Sequence, residues 1–197
     1  YLTIQPTAGV LTNGLFAGDA SLFCLSFPRD GIFFFNDLFN GCSALSRVLL
    51  PEGIYETGSV PGAMFNGCTA LERMDIPPAV EISSAMFMGC TALSEIRLAN
   101  GTPSIGEGAF SGCVSLSEVT VPPSVLLIGD QAFRGCTGIL AYHFLSPSPP
   151  QLTGDGVFAM IPDDCVIYVP AGSGQAYKTA TNWAVVADHI VEEGAGA

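Results

Sequence analysis

A four-residue pattern, Phe-x-Gly-Cys, constrains this chain more than any other feature because it recurs along most of its length. The pattern occurs five times in full, with a degenerate copy before these and a remnant phenylalanine after them. The phenylalanines of this column, at steps of 22 to 26 residues, are Phe16, Phe39, Phe65, Phe87, Phe110, Phe133 and Phe158. One unit of this length cannot bury an apolar face alone, so neighbouring units must stack and share a core. The sequence therefore predicts a repeat solenoid.

The residues after each tetrad predict a short strand. Cys113, for example, is followed by apolar residues at Leu116, Val119 and Val121 and then by a proline. The alternation at the end of this run points Val119 and Val121 inward. The proline has no N–H to donate to a ladder and ends the strand. The tetrad itself is interpreted as a short helical turn, closed by Gly112 in the left-handed conformation.

These units together predict an α/β repeat solenoid of about seven coils, each of about 23 residues. The coils place short parallel strands on a concave face, roughly 4.8 Å apart, with helical turns and loops opposite. Residues 1–170 form the solenoid, and its first coil is truncated or degenerate. Residues 171–191 form a C-terminal cap, with a helix from about Ser173 to Thr179 and Trp183 over the open end of the core. Residues 192–197 are expected to be a flexible tail.

Composition excludes several classes of protein. The net charge is −12, from six Lys and Arg against 18 Asp and Glu, which does not suit a nucleic-acid partner. No apolar run approaches the ~18 residues that a membrane helix needs. Hydrophobic residues make up 49% of the chain, which excludes intrinsic disorder. A folded protein without a membrane span is therefore expected.

Five of the seven cysteines occupy the tetrad column. A small thiol packs well in a buried ladder, so we expect free, inert core cysteines at Cys42, Cys68, Cys90, Cys113 and Cys136. A disulfide between adjacent coils is the alternative, because the coil spacing lies within the range that such a bond spans. A zinc site is not expected, since no Cys-x₂-Cys pair occurs. Cys24 lies at an outward strand position and is expected to be partly exposed.

The residues that could perform chemistry are few, and no catalytic, cofactor or metal site is predicted. Asp188 and His189 are adjacent in sequence, which is not the geometry of a catalytic triad. Asp163 and Asp164 are interpreted as a solvated turn. The segment 172–179 is faintly similar to a phosphate-binding loop, but Tyr177 stands where that motif has glycine.

The outward positions of the strands form the candidate partner-binding strip. Three of the five arginines fall there in consecutive coils, although the chain as a whole is acidic. Arginine binds carboxylates through two N–H groups and stacks on aromatic rings. Two interpretations stay open, ion pairing within the strip and recognition of a partner. The strip comprises Arg47, Leu49, Arg73, Asp75, Glu95, Arg97, Glu118, Thr120, His143 and Tyr168.

The repeats closely resemble the BspA-like, or Treponema-type, leucine-rich repeat family. Residues 128–136 read I-G-D-Q-A-F-R-G-C, and residues 104–113 carry the same pattern. The sequence departs from it at Asp19, which replaces the cysteine, and at 53–61, where the loop is longer. The resemblance implies a non-enzymatic, exported or cell-surface protein of host-associated bacteria. It would mediate adhesion to host matrix proteins, to other cell-surface proteins or to a glycan, and we expect a monomer. The alternative is a structural spacer that presents another domain of a larger surface protein.

Overall fold

The computed structural model describes residues 2–3, 13–26, 36–49 and 62–194. Over these residues the chain is a parallel β-solenoid with few helices, which confirms the predicted fold class. About five turns are formed, slightly fewer than the seven predicted. The turns of Phe16 and Phe158 lack the tetrad cysteine that the other five contain. The predicted strand residue Ile4, the longer loop at 53–61 and residues 195–197 lie outside the described residues.

The strands of the main row recur at intervals of about one repeat, and the row extends beyond the five complete tetrad turns at both ends. Every pairing within it is parallel, and partners occupy equivalent positions in successive repeats, as in Val119 opposite Tyr142 and Tyr142 opposite Ile167. The strands of this row are β1 (Leu2–Thr3), β2 (Cys24–Ser26), β3 (Arg47–Leu49), β4 (Arg73–Ile76), β5 (Glu95–Leu98), β7 (Glu118–Val121), β9 (Ala141–Phe144), β11 (Val166–Val169) and β12 (Ile190–Glu192).

The main row is interrupted in two places. Hydrogen bonds join the strands into three groups: β1, β2 and β3 form the first, β4 and β5 the second, and β7, β9, β11 and β12 the third. Strand β3 is therefore not paired with β4, and β5 is not paired with β7, although each pair lies in contact. The strand side of the solenoid consists of three separate ladders.

A second row of two-residue strands lies on another side of the coil. It comprises β6 (Ser104–Ile105), β8 (Leu127–Ile128) and β10 (Gln151–Leu152). Ile105 pairs with Ile128, and Ile128 with Leu152, so the apolar residues that precede the tetrads are buried in register. Coils approach closely here, since a Cβ added to Gly129 would lie 2.3 Å from the backbone nitrogen of Glu107. Glycine after this isoleucine is therefore a steric requirement.

The short helical turns predicted at the tetrads are present as hydrogen-bonded turns without α-helical geometry. Around Phe87 the backbone is left-handed at both Ala85 (φ 54°) and Gly89 (φ 71°), and no α-helix accommodates two such residues. The left-handed conformation predicted for Gly112 is confirmed, at φ 75°. The N–H of Phe87 donates to the carbonyl of Ala109 in the next coil at 2.8 Å. The turns are thus tied to one another much as the strands are.

The core is built from two columns. The seven tetrad phenylalanines stack face to face along the solenoid, with ring centroids 5.4–6.1 Å apart and planes within 10° of parallel. The five tetrad cysteines are buried and free, as predicted. Burial raises the pKa of these thiols, to about 12 for Cys90 and Cys136. The disulfide alternative is therefore excluded for these five residues in this structure.

The C-terminal end of the core is covered by helix α1 (Gly174–Thr179), a 3₁₀ helix (Ala184–His189) and strand β12. Trp183 is fully buried, and its indole N–H donates to the carbonyl of Pro150 at 2.9 Å. Strand β12, which the sequence did not predict, pairs with β11 through Val169 and Glu192. Glu192, the first residue of the expected flexible tail, lies in β12, and its carboxylate accepts hydrogen bonds from the N–H groups of Gly172 and Gly174.

Candidate interaction surface

The outward positions of the main strands form one continuous surface, which we call the strand face. Its first column contains Cys24, Arg47, Arg73, Glu95, Glu118, Ala141 and Val166, and its second column contains Leu49, Asp75, Arg97, Thr120, His143 and Tyr168. All are exposed or half-buried, whereas the residues between them in the strands are buried or nearly so. All ten residues of the predicted strip therefore lie on this face. That they bind a partner stays a prediction.

An ionic cluster occupies the middle of the strand face. Arg73 and Arg97 both contact the Glu95 carboxylate, Arg97 at 2.7 Å, and Arg97 also lies 3.9 Å from Asp75. Hydrogen bonding from Arg73, together with the charges of both guanidinium groups, holds the pKa of Glu95 below its usual value. The ion-pairing interpretation of Arg73, Asp75, Glu95 and Arg97 is thus realised in the structure. Such exposed pairs add little to stability, so the cluster mainly fixes how these charges are presented.

Arg47 differs from the other two arginines of the strip. Within the described part of the chain it forms no ion pair, and Leu49 beside it in β3 is 55% exposed. Both residues line an open groove of about 510 Å³ at the interruption between β3 and β4. This groove offers a guanidinium that is not engaged in an ion pair among the described residues, next to an apolar side chain.

A second open groove of about 630 Å³ lies at the other interruption, between β5 and β7. Polar side chains dominate its lining, among them Arg97, Glu118 and Thr120. Each groove thus coincides with a place where adjacent strands are not tied by ladder hydrogen bonds.

Beyond β7 the strand face becomes aromatic. The ring of His143 stacks on that of Tyr168, with centroids 4.9 Å apart and planes 14° apart. The His143 Nδ1 lies 3.0 Å from a carboxylate oxygen of Glu193. The sequence singled out both ring residues but missed Glu193, because strand β12, which leads to it, carries no tetrad.

The remaining candidate groups do not form a catalytic or metal-binding arrangement. His189 directs Nδ1 to the backbone carbonyl of Cys165 at 2.8 Å, so it is oriented by the backbone. Asp163 and Asp164 are exposed in a turn, as expected. Within the described ranges, no group of three His, Cys, Asp or Glu side chains could hold a metal ion, and no helix is long and apolar enough to cross a membrane.

The sequence pattern of the BspA type leucine-rich repeat region matches residues 4–144 in six copies. This chain belongs to the BspA-type leucine-rich repeat family. The strand row, the phenylalanine column and the free cysteine column are therefore features of a BspA-type repeat. Leucine-rich repeat proteins are generally interaction modules without enzymatic activity. Among curated proteins no significant sequence relative is found.

Solved structures of three leucine-rich repeat proteins are similar to this BspA-type chain. One, from Bacteroides ovatus ATCC 8483, is 20% identical with a TM-score of 0.50, over 92% of this chain and 57% of that one. A leucine-rich cell surface protein of Faecalibacterium prausnitzii A2-165 is 21% identical with a TM-score of 0.53, over 75% of this chain and 48% of that one. The T. pallidum leucine-rich repeat protein is 26% identical with a TM-score of 0.40, over 67% and 50%. The chain spans about half the length of these relatives.

Proposed function

We propose that this BspA-type chain is a non-enzymatic, exported or cell-surface module that binds a protein partner through its strand face. The observation that carries the proposal is the composition of that face. Arginine and tyrosine, which are enriched among the residues that contribute most to binding at protein interfaces, lie on this face together with the exposed Leu49. The description of the F. prausnitzii relative as a cell surface protein supports the location.

Arg47 and Leu49 are the best candidates for the anchor of such an interface. A guanidinium without an internal partner loses no ion pair when it binds a carboxylate, whereas Arg73 and Arg97 already share Glu95. Apolar area at Leu49 adds a hydrophobic contribution of about 25 cal/mol for each Å² that the partner covers.

The experiment measures binding of the purified chain to a panel of purified extracellular matrix proteins by surface plasmon resonance. The triple variant R47A/R73A/R97A is expected to weaken any detected binding roughly tenfold or more, since several interface arginines are removed. The control, R134A/K178A, removes two cations that lie outside the strand face. Unchanged affinity of the triple variant, with an unchanged circular dichroism spectrum, would exclude the strand face as the binding surface.

The internal ion pairing favours a second candidate function, that of a spacer in a larger surface protein. Arg73, Arg97, Glu95 and Asp75 satisfy one another, as expected for a face that needs no partner. A complete lack of binding across the panel would favour this spacer role over the interaction module.

A further inference from the structure

The charges of the strand face balance, although the chain as a whole carries a net charge of −12. The two columns of this face contain three arginines and three carboxylates, namely Arg47, Arg73, Arg97, Asp75, Glu95 and Glu118. Two copies of so acidic a chain repel each other over most of their surface. The strand face can approach its own copy without a net repulsion.

Two of these six charges are unpaired, and they lie on opposite sides of the ionic cluster. Within the described part of the chain, Arg47 on β3 and Glu118 on β7 form no ion pair, whereas the four charges between them pair with one another. Strands β4 and β5 lie between β3 and β7, so the two unpaired groups are not neighbours in one chain. A second chain with the reverse order of strands would bring the cation of one copy to the anion of the other.

Exposed apolar side chains extend this arrangement by one strand on each side. Phe23 immediately precedes β2 and is 62% exposed, and Leu140 immediately precedes β9 and is 53% exposed. The two interruptions of the row follow the same arrangement, because they lie on either side of the ladder of β4 and β5. From β2 to β9, the row therefore has matching features at equal numbers of strands from its centre.

We propose that the strand face binds the strand face of a second copy of this chain, related to the first by a two-fold axis. The axis lies between the two faces, runs parallel to the strands and passes over the ladder of β4 and β5. Rotation about this axis reverses the order of the strands and keeps each residue in its column. Arg47 of each copy then lies opposite Glu118 of the other, and Phe23 lies opposite Leu140. Each contact occurs twice, as in any isologous interface.

The ionic cluster fits this arrangement without breaking its own pairs. The rotation places Arg73 of one copy opposite Glu95 of the other, and Asp75 opposite Arg97, so no like charges meet. Since both arginines already share Glu95 within one chain, these groups can stay hydrated in the dimer. Exposed ion pairs add little to affinity. The contacts outside the cluster therefore select the partner.

The association is expected to be weak. Strands of three or four residues offer much less area than the roughly 1,600 Å² of a standard stable interface. We expect a dissociation constant of roughly 0.1–1 mM, so that a dilute chain is monomeric. Many such contacts in parallel, between molecules held on two facing surfaces, would bind through avidity. This inference rests on the proposed function, since it names the partner of the same face.

Exchange of the two unpaired charges tests the proposal by analytical ultracentrifugation, at up to about 1 mM protein. The buffer contains about 0.15 M salt, which screens remote charges beyond roughly 8 Å. R47E and E118R should each weaken the dimer roughly tenfold or more, because each variant places like charges opposite one another twice. An equimolar mixture of R47E and E118R should regain the wild-type affinity as a heterodimer. The double variant R47E/E118R should regain it as a homodimer.

The matched controls are R134E and E107R. They change the net charge by the same amounts as R47E and E118R, at exposed positions outside the strand face, and should leave the dimer unaffected.

A cross-link tests the geometry independently of charge. The axis places Cys24, the partly exposed thiol of β2, opposite Ala141 of the other copy. A short bismaleimide should therefore link A141C into a covalent dimer. Wild type and C24S/A141C, each of which lacks one of the two thiols, should stay unlinked.

Three results would overturn the proposal: the wild-type chain stays monomeric at about 1 mM, R47E dimerises as well as R134E, or the mixture of R47E and E118R associates no more tightly than either variant alone. If a charge-reversal variant melts below the wild-type range, the cross-link decides instead, and an unlinked A141C overturns the proposal. Binding to matrix proteins is measured on a dilute chain with R47A/R73A/R97A. The failure of either proposal therefore leaves the test of the other intact.

Discussion

The thiol of Cys113 donates a hydrogen bond to the carbonyl oxygen of Phe87, 26 residues earlier, with a sulfur–oxygen distance of 3.1 Å. The other four tetrad cysteines make the same contact with the phenylalanine of the preceding coil, at 2.9–3.2 Å. Each phenylalanine carbonyl also accepts the N–H of the cysteine in its own tetrad or, at Phe16, of Asp19. The cysteine side chain thus links consecutive coils as a buried donor, which explains why the column needs a small side chain that can donate.

The buried thiols predict that stability falls at alkaline pH. Burial raises the pKa of Cys90 and Cys136 to about 12 from the ordinary value of 9.0, so the unfolded chain loses these protons first. Their stabilising contribution is complete below pH 9.0 and declines as pH rises towards about 12. Each such thiol contributes a slope of about 1.4 kcal/mol per pH unit. Urea midpoints measured between neutral and alkaline pH check this, and the control C90A/C136A should show a shallower decline, since the other buried thiols remain. A midpoint independent of pH contradicts the prediction.

Native thiol labelling gives a second test of the cysteine column. Only Cys24 is partly exposed, so a disulfide reagent is expected to modify this residue first and the five tetrad thiols only after unfolding. C24S should abolish the fast phase, and C113S should leave it intact. Fast modification of five or more thiols in the native protein would show that the column is accessible.

Two tyrosines near the C-terminal end predict opposite effects of the same substitution. The hydroxyl of Tyr142 is buried without a hydrogen-bond partner, whereas that of Tyr177 donates to the carbonyl of Ser146 at 2.8 Å. Y142F should stabilise the protein by about 1 kcal/mol or more, since a buried unsatisfied polar group is removed. Y177F serves as the matched control and should cost about 0.5–1.5 kcal/mol. The free energies of unfolding of both variants in urea check this prediction. Destabilisation by Y142F would contradict the absence of a hydrogen-bond partner for the Tyr142 hydroxyl.

Close coil packing predicts that G129A is strongly destabilising. The added Cβ would lie 2.3 Å from Glu107 N and 2.5 Å from Gly106 C, both backbone atoms that cannot move without separating two coils. G62A is the milder control, because its nearest atom is 3.3 Å away. We expect a loss of about 1–3 kcal/mol for G129A, the usual cost of overpacking. Equal melting temperatures for the two variants would argue against this packing.

Glu192 predicts an acid-dependent loss of stability at the C-terminal end. Hydrogen bonds from the backbone N–H groups of Gly172 and Gly174 hold the pKa of the Glu192 carboxyl below its ordinary value of 4.5. A carboxyl group whose pKa is lowered by folding stabilises the fold at pH values above its unfolded-state pKa. This contribution is lost as the pH falls through the folded-state pKa. The melting temperature of E192Q should therefore lie below that of wild type at neutral pH and converge with it in acid. E107Q, an exposed carboxylate elsewhere, should show no such convergence.

The repeat made most of this fold predictable. Phe110 and Cys113 could be placed because every coil carries the same residues at the same positions, and a stacked column is the arrangement that buries all of them. The left-handed residues two positions before Phe87 and Phe133 could not be predicted, since Ala85 and Gln131 give no sequence signal for positive φ. Strand β12 and the role of Glu192 were missed because the chain there no longer follows the repeat.

For the strand face, the alternation within each strand was sufficient to place Arg47, Thr120 and His143 outward. The contacts among those side chains were not predictable. Whether Arg97 pairs with Asp75, Glu95 or a partner depends on side-chain conformations that spacing does not determine. Predicting the stack of His143 on Tyr168 would have required the register of β9 against β11. Predicting the two interruptions would have required the positions of all the strands.

The two interruptions between strands have a mechanical consequence. On the turn side, the continuous column of phenylalanine rings and the hydrogen bonds between turns fix the distance from each coil to the next. On the strand side, no ladder holds β3 to β4 or β5 to β7. Bending of the solenoid is therefore expected to concentrate at these two joints. A partner that spans both joints would set the curvature of the rod.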